Sequence, residues 1–168
     1  KPAPKPASAA GATPPKPKPA SSSRKRATAA GADWAAGWPD LSKAVTLSDE
    51  DACELLNEFL HTARGHDCSD VHISAGSQPF VRRHKQIHQL LDQDVITSEV
   101  SEKLNLAPLT AEDREVFEAT HDLDYSHAIS EDDRYRTNLL MQRLGIAGSY
   151  RIIDSRIRSL EELGFNRP

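Results

Sequence analysis

Residues 123–153 restrict the possible folds more than any other stretch. Three runs alternate polar and apolar side chains: Leu123 to Ile129, Arg134 to Met141, and Ile146 to Ile153, the last two joined by a turn near Gly145. Successive side chains on a strand point to opposite faces, so such alternation marks strands with one buried and one wet face. Short connections between consecutive strands favour antiparallel pairing. Upstream, Val71 and Ile73 alternate with His72 and Ser74. A turn cluster follows at Ala75-Gly76-Ser77-Gln78-Pro79, and Phe80–Arg83 with Ile87–Leu91 reads as a hairpin.

Helical spacing governs the segments between. Leu55, Leu56, Phe59, Leu60 and Ala63 predict a helix over Ser48–Ala63. Ser48 is placed to cap it, Asp49, Glu50 and Asp51 suit its first turn, and Leu47 suits a staple at its entry. Gly65 is expected to close it in the left-handed conformation. Two shorter helices are expected: one capped by Thr97 and running through Leu104, one capped by Thr110, with Asp113 three residues on, and running through Ala119. Helices on one face of an antiparallel sheet make the class α+β.

The first 43 residues are a different material. Lys1, Lys5, Lys16, Lys18, Arg24, Lys25, Arg26 and Lys43 face only Asp33 and Asp40, so this end is basic while the whole chain carries −4. Eight of the eleven prolines lie in the first forty positions, among Ala, Lys and Ser. Such a segment buries too little apolar area to offset its ordering entropy, and it reads as a disordered linker. Residues 44–168 suffice for one domain. No apolar run nears the roughly 18 residues of a membrane span, and the amino terminus has no signal-peptide core. Cys53 and Cys68 stand alone, which suits a reducing compartment. The chain opens on Lys1, its one methionine is Met141, and it reads as a fragment of a longer protein.

In the strand Arg134-Tyr-Arg136-Thr-Asn138, the residues Arg134, Arg136 and Asn138 share one face. Arg143 and Arg151 follow. A row of guanidinium groups beside an amide suits a phosphate. The bland reading is a solvated strand face with weak surface ion pairs. No G-x-x-x-x-G-K-[ST] phosphate loop occurs in the chain.

Five collinear motifs carry a resemblance over about residues 48–168. Cys68-Ser-Asp70-Val-His72-Ile-Ser-Ala-Gly-Ser-Gln-Pro79 resembles the "ASDLHLSAGxPP" signature of the N-terminal domain of twitching-motility (PilT-type) ATPases. Leu123-Asp-Tyr-Ser126 is similar to their "TDFSF" strand, and Arg134-Tyr-Arg136-Thr-Asn138 with Gln142 to "RFRVNxxxQ". Tyr150-Arg151-Ile-Ile153 resembles "FRxIP", and Leu160-Glu-Glu-Leu-Gly164 resembles "LEELGLP". The chain departs from the family at Arg83-His84-Lys85-Gln86, where the usual hairpin turn is "DG", so a longer or differently shaped turn is expected there. Asp154 replaces the proline of "IP".

The resemblance implies a PAS-like domain within a homohexameric motor that retracts type IV pili. Such a motor is cytoplasmic and peripheral at the inner membrane, where it meets a pilus platform protein. ATP and Mg2+ belong to a RecA-like domain missing here, so the fragment alone is expected to bind neither and to be inactive. The resemblance assigns nucleotide-phosphate contact to Arg134, Arg136, Arg151 and, where the family varies, Arg143. Asp70, His72, Asn138 and Gln142 belong to the supporting motif.

Other readings stay open beside it: a PAS-like ligand-sensing module, or a protein-docking domain of another secretion-type ATPase or signalling protein. His72 reads more simply as bonded to a neighbour such as Asp70. A metal group of His66, Cys68 and His72, or of His84 and His88, lacks recognised four-ligand spacing. The basic Arg24-Lys-Arg26 run has no aromatic residue to stack bases, and no nucleic-acid partner is expected. Trp34 and Trp38 could dock on the domain or on a partner.

Overall fold

The computed structural model describes Trp34 and residues 36–154. After a short 3-10 helix at Leu41–Thr46 come helix α1 (Asp49–Gly65), strands β1 (Cys68–Ser74), β2 (Phe80–Arg83) and β3 (Gln86–Gln89), and helices α2 (Ser98–Leu106) and α3 (Ala111–Thr120). Strands β4 (Asp122–Ala128), β5 (Arg134–Gln142) and β6 (Gly145–Ile153) complete it. The six strands form one antiparallel sheet in the order β3-β2-β1-β6-β5-β4, so two three-stranded meanders meet at the β1–β6 pair. The class is α+β, as the alternation implied.

The caps stand where the sequence puts them. The side-chain oxygens of Ser48, Thr97 and Thr110 accept from the backbone N–H of Asp51, Val100 and Asp113 at 3.0, 3.2 and 3.1 Å. Each satisfies a donor that the first helical turn leaves over. Gly65 does not take the left-handed role. It is the last helical residue, His66 caps α1 at φ −96°, and Asp67 carries the positive φ of 56°. An aspartate tolerates that region better than most residues, and the chain needs the bend two positions later to enter β1.

Helices and apolar strand residues pack on one side of the sheet. Leu56, Phe59, Leu60 and Ala63 of α1 and Val100 and Leu104 of α2 meet Val71, Ile73, Val81, Tyr135 and Tyr150. Phe117 of α3 forms a second cluster with Leu123, Leu139 and Ile146. Gly145 turns β5 into β6 at φ 129°, and a Cβ there would meet Ser98 Oγ at 2.6 Å. That turn lies against the start of α2, which only a glycine permits.

The folded body reaches back beyond residue 44. Trp38, Leu41 and Ala44 belong to the main core, with Trp34 packed against it. Trp34 meets Trp38 edge-on at 6.5 Å and His88 at 5.2 Å, under the Arg83 guanidinium at 5.2 Å. The tryptophans therefore dock on their own domain. Two large rings supply apolar area that composition averaged over residues 1–43 conceals. The Lys/Pro/Ala-rich part of the expected linker, and Leu160–Gly164, lie outside the described residues.

The β2–β3 turn is not the longer or differently shaped one expected. It keeps two residues, His84 at φ 48° and Lys85 at φ 65°, between the paired Arg83 and Gln86. The right-handed twist of the strands selects this turn geometry even without a glycine.

Candidate functional site: an arginine row on the uncovered sheet face

Among the described residues, every helix packs on the face that holds Val71, Leu139 and Tyr150. The other face carries polar side chains in rows set by strand register. One row reads Ser126, Arg136, Arg151, Asp70, Arg82 across β4, β5, β6, β1 and β2. The next reads Asp124, Asn138, Ser149, His72, Phe80 across the same strands. Residues eight to about eighty positions apart in sequence thus become neighbours about 5 Å apart.

Arg136 and Arg151 stand directly opposite each other. Like charges in that position repel, and a carboxylate on the outer side of each offsets the repulsion. Asp124 takes a two-pronged bond from Arg136, with Nη2 to Oδ2 at 2.6 Å and Nε to both oxygens at 3.2 Å. Asp70 accepts from Arg151 Nε at 2.9 Å, and Arg82 Nε lies 3.6 Å from its other oxygen. Ser69 Oγ also donates to Asp70 at 2.8 Å.

Burial pushes the Asp70 carboxyl up, but the bonds from Arg151 and Ser69 and the charges of Arg151 and Arg82 outweigh it, so it titrates below the usual range. The bond from Arg136 holds Asp124 low as well. Between the two arginines lies a shallow hollow of about 180 Å3 lined by Asp124, Arg136, Asn138, Ser149 and Arg151. Arg136 Nη1 and both terminal nitrogens of Arg151 are not used by these carboxylates, and the two side chains are 68% and 65% exposed. Several N–H donors converging on one hollow suit the oxygens of a phosphate.

The remaining sequence candidates separate. Arg134 shares the face but sits at the strand end, donating to Glu131 O at 3.1 Å. Arg143 lies in the turn beyond Gln142, seven residues along the chain from Arg136. That is roughly 23 Å at strand rise, so the structure does not bring it to the row. Gln142 pins the same end of the sheet, donating to Ala75 O at 3.1 Å. Asn138 donates to Asp122 at 2.9 Å.

His72 is on the arginine face but stacks on Phe80 at 4.5 Å rather than bonding Asp70, and burial lowers its pKa. His66 instead packs against Trp38 near the core, so His66, Cys68 and His72 do not converge. Arg82, Asp124 and Ser149 escaped the sequence reading because only register makes them neighbours. An acidic residue at a polar position of the adjacent strand was the available signal.

No family model matches the chain. The chain is similar to the type IV pilus retraction ATPase PilT of Pseudomonas aeruginosa, 27% identical over 122 residues, covering 65% of this chain and 31% of that protein. In fold it is similar to a crystal structure of the pilus retraction motor PilT with bound ADP, at TM-score 0.57 and 28% identity over 62% of this chain and 31% of that one. It also shares its fold with the Legionella pneumophila ATPase DotB, at TM-score 0.52 and 15% identity over 66% of this chain and 31% of that one. The chain thus spans about a third of the length of the proteins it matches. By sequence and by fold together, the chain is similar to the N-terminal region of the pilus retraction motor PilT.

Proposed function

We propose that this chain is the N-terminal part of a type IV pilus retraction motor, and that Arg136 and Arg151 reach the phosphates of a nucleotide held by a separate ATPase lobe. The observation that carries the reading is the register pairing of these two arginines on an uncovered face, each held at its base by a carboxylate. A fixed guanidinium stabilises charge spread over phosphoryl oxygens and reports whether the γ-phosphate is present. Loss of that phosphate would free the domain to move.

The donor set fits phosphate. It does not fit a metal ion, since among the described residues no three His, Cys, Asp or Glu are grouped to hold one. Mg2+, in this reading, belongs with the phosphate loop of the ATPase lobe. Self-association as a hexamer, a cytoplasmic position at the inner membrane and contact with a pilus platform are part of the same proposal, which the likeness to a retraction motor supports. No helix among the described residues is long and apolar enough to cross a membrane.

The test uses a protein that carries both lobes. Arg136→Ala and Arg151→Ala are each expected to lower kcat about tenfold or more, with the melting temperature nearly unchanged. Turnover at the unmutated rate would rule out phosphate contact by these arginines. A second reading has its own support: Ile87 and Ile153, 63% and 40% exposed, lie on the same face as the arginines. A protein lobe docked there without nucleotide contact would lose binding on Ile153→Asp but keep its kcat in both arginine variants.

A further inference from the structure

The two central arginines are held by carboxylates of different kinds. Arg151 rests on Asp70, whose side chain is only 7% exposed and which is also engaged by Arg82 and Ser69. Arg136 rests on Asp124, whose side chain is 47% exposed, on the edge strand β4. A carboxylate sunk among several donors cannot release one partner without leaving its charge poorly solvated. A carboxylate at the surface regains water as soon as its partner leaves, so its ion pair is weak and reversible. Asp124 nevertheless occupies the Nε–Nη2 edge of Arg136 with a two-pronged grip. That side-on edge is one of the two through which an arginine binds a phosphate in bidentate fashion. Asp124 and Arg136 also line the same hollow, with Asn138, Ser149 and Arg151 on its other sides.

Resting on the phosphate reading given above, we propose that Asp124 is a competing parking site for Arg136, so that an incoming polyphosphate gains the side-on edge of Arg136 by displacing this carboxylate while Arg151 stays fixed on Asp70. Asp124 then sets the affinity of the hollow for its anion and makes Arg136 the moving member of the pair. Asp70 is a positioning residue of the opposite sense, because its removal unseats Arg151. The balance is one ion pair exchanged for another: the Asp124 carboxylate returns to water as the phosphate takes its place.

The experiment follows the arginine Nε–Hε signals by 15N NMR while the 168-residue chain is titrated with inorganic tripolyphosphate, the signals being assigned with Arg136→Lys and Arg151→Lys. In the unmutated chain both signals move, and the Arg136 Hε exchanges with water faster than that of Arg151. Asp124→Asn tightens tripolyphosphate binding about two- to fivefold, the range of a surface ion pair. Asp122→Asn, which removes the same charge two residues along the same face, is the control and tightens it less. Equal effects of Asp122→Asn and Asp124→Asn, or equal Hε exchange at the two arginines, overturn the parking role while leaving the phosphate reading intact. No movement of either arginine signal at millimolar tripolyphosphate also overturns the parking role, whereas the phosphate reading is decided by turnover of the two-lobe protein.

Discussion

The β2–β3 turn places two residues with side chains where glycine is at ease. His84 and Lys85 both take positive φ, at about 1–2 kcal/mol per residue for the left-handed region. Glycine carries its own entropic cost in the unfolded chain. Lys85→Gly should therefore raise stability by about 1 kcal/mol, read as a higher urea midpoint with an unchanged slope. An unchanged midpoint would mean that the turn is not strained. A buried network gives a second prediction at this scale. Tyr150 Oη donates to Asn105 Oδ1 at 2.8 Å, Asn105 Nδ2 donates to Ser101 O at 2.7 Å, and Ser101 Oγ donates to Ile146 O at 2.6 Å. The side chain of Asn105 fits because Gly148 lies beneath it, where a Cβ would land on its oxygen. Asn105→Ala should cost about 2–3 kcal/mol, since it strands the Tyr150 hydroxyl in the core. In the Tyr150→Phe background the same substitution should cost less, and a double-mutant cycle without coupling would argue against the network.

At the scale of elements, Asp133 fastens α1 to the far end of the sheet. It accepts from Arg64 Nε at 2.6 Å and meets His61 Nδ1 at 3.3 Å. Arg64 also donates to the carbonyls of Arg134 and Ile153, joining the ends of β5 and β6. Burial would raise the Asp133 carboxyl, but the neighbouring Tyr135 hydroxyl, its bonds to His61 and Arg64 and the Arg64 charge hold it below the usual range. The unfolded chain titrates at about 3.9. A depressed folded-state value stabilises fully above that pH, and the contribution is lost as pH falls through the folded value. Asp133→Asn should lower stability at neutral pH and flatten its fall below about pH 4, measured by urea midpoints along a pH series. A variant that keeps the unmutated slope would show that the fastening carries no linkage.

For the whole molecule, the stretch that looks like linker helps to build the core. Trp38 is 8% exposed and Leu41 fully buried, against Phe59, Leu60 and Val100 in one cluster. A chain begun at Ala44 should lose about 3–5 kcal/mol relative to one begun at Ala32, comparable to deleting one large core side chain. Thermal unfolding of the two versions decides it, and equal midpoints would place the tryptophans outside the folding unit. The uncovered face has the converse character: its ion pairs are mostly exposed and contribute little stability. In the proposed function, this face meets another lobe rather than adding stability.

Strand alternation and helix caps were legible because they are local. Arg134, Arg136 and Asn138 share a face by the period of the chain, and Ser48, Thr97 and Thr110 cap by their own side chains. Linear motifs likewise sufficed to point to the PilT type, since collinear spacing survives at low identity. What no local pattern contains is which strand lies beside which. The β1–β6 pairing joins two meanders across some seventy residues and sets Asp70 beside Arg151, while the β5–β6 register sets Arg151 opposite Arg136. Alternation decides which side of a sheet a residue faces. Register decides its neighbours, and register is settled by the whole core packing at once.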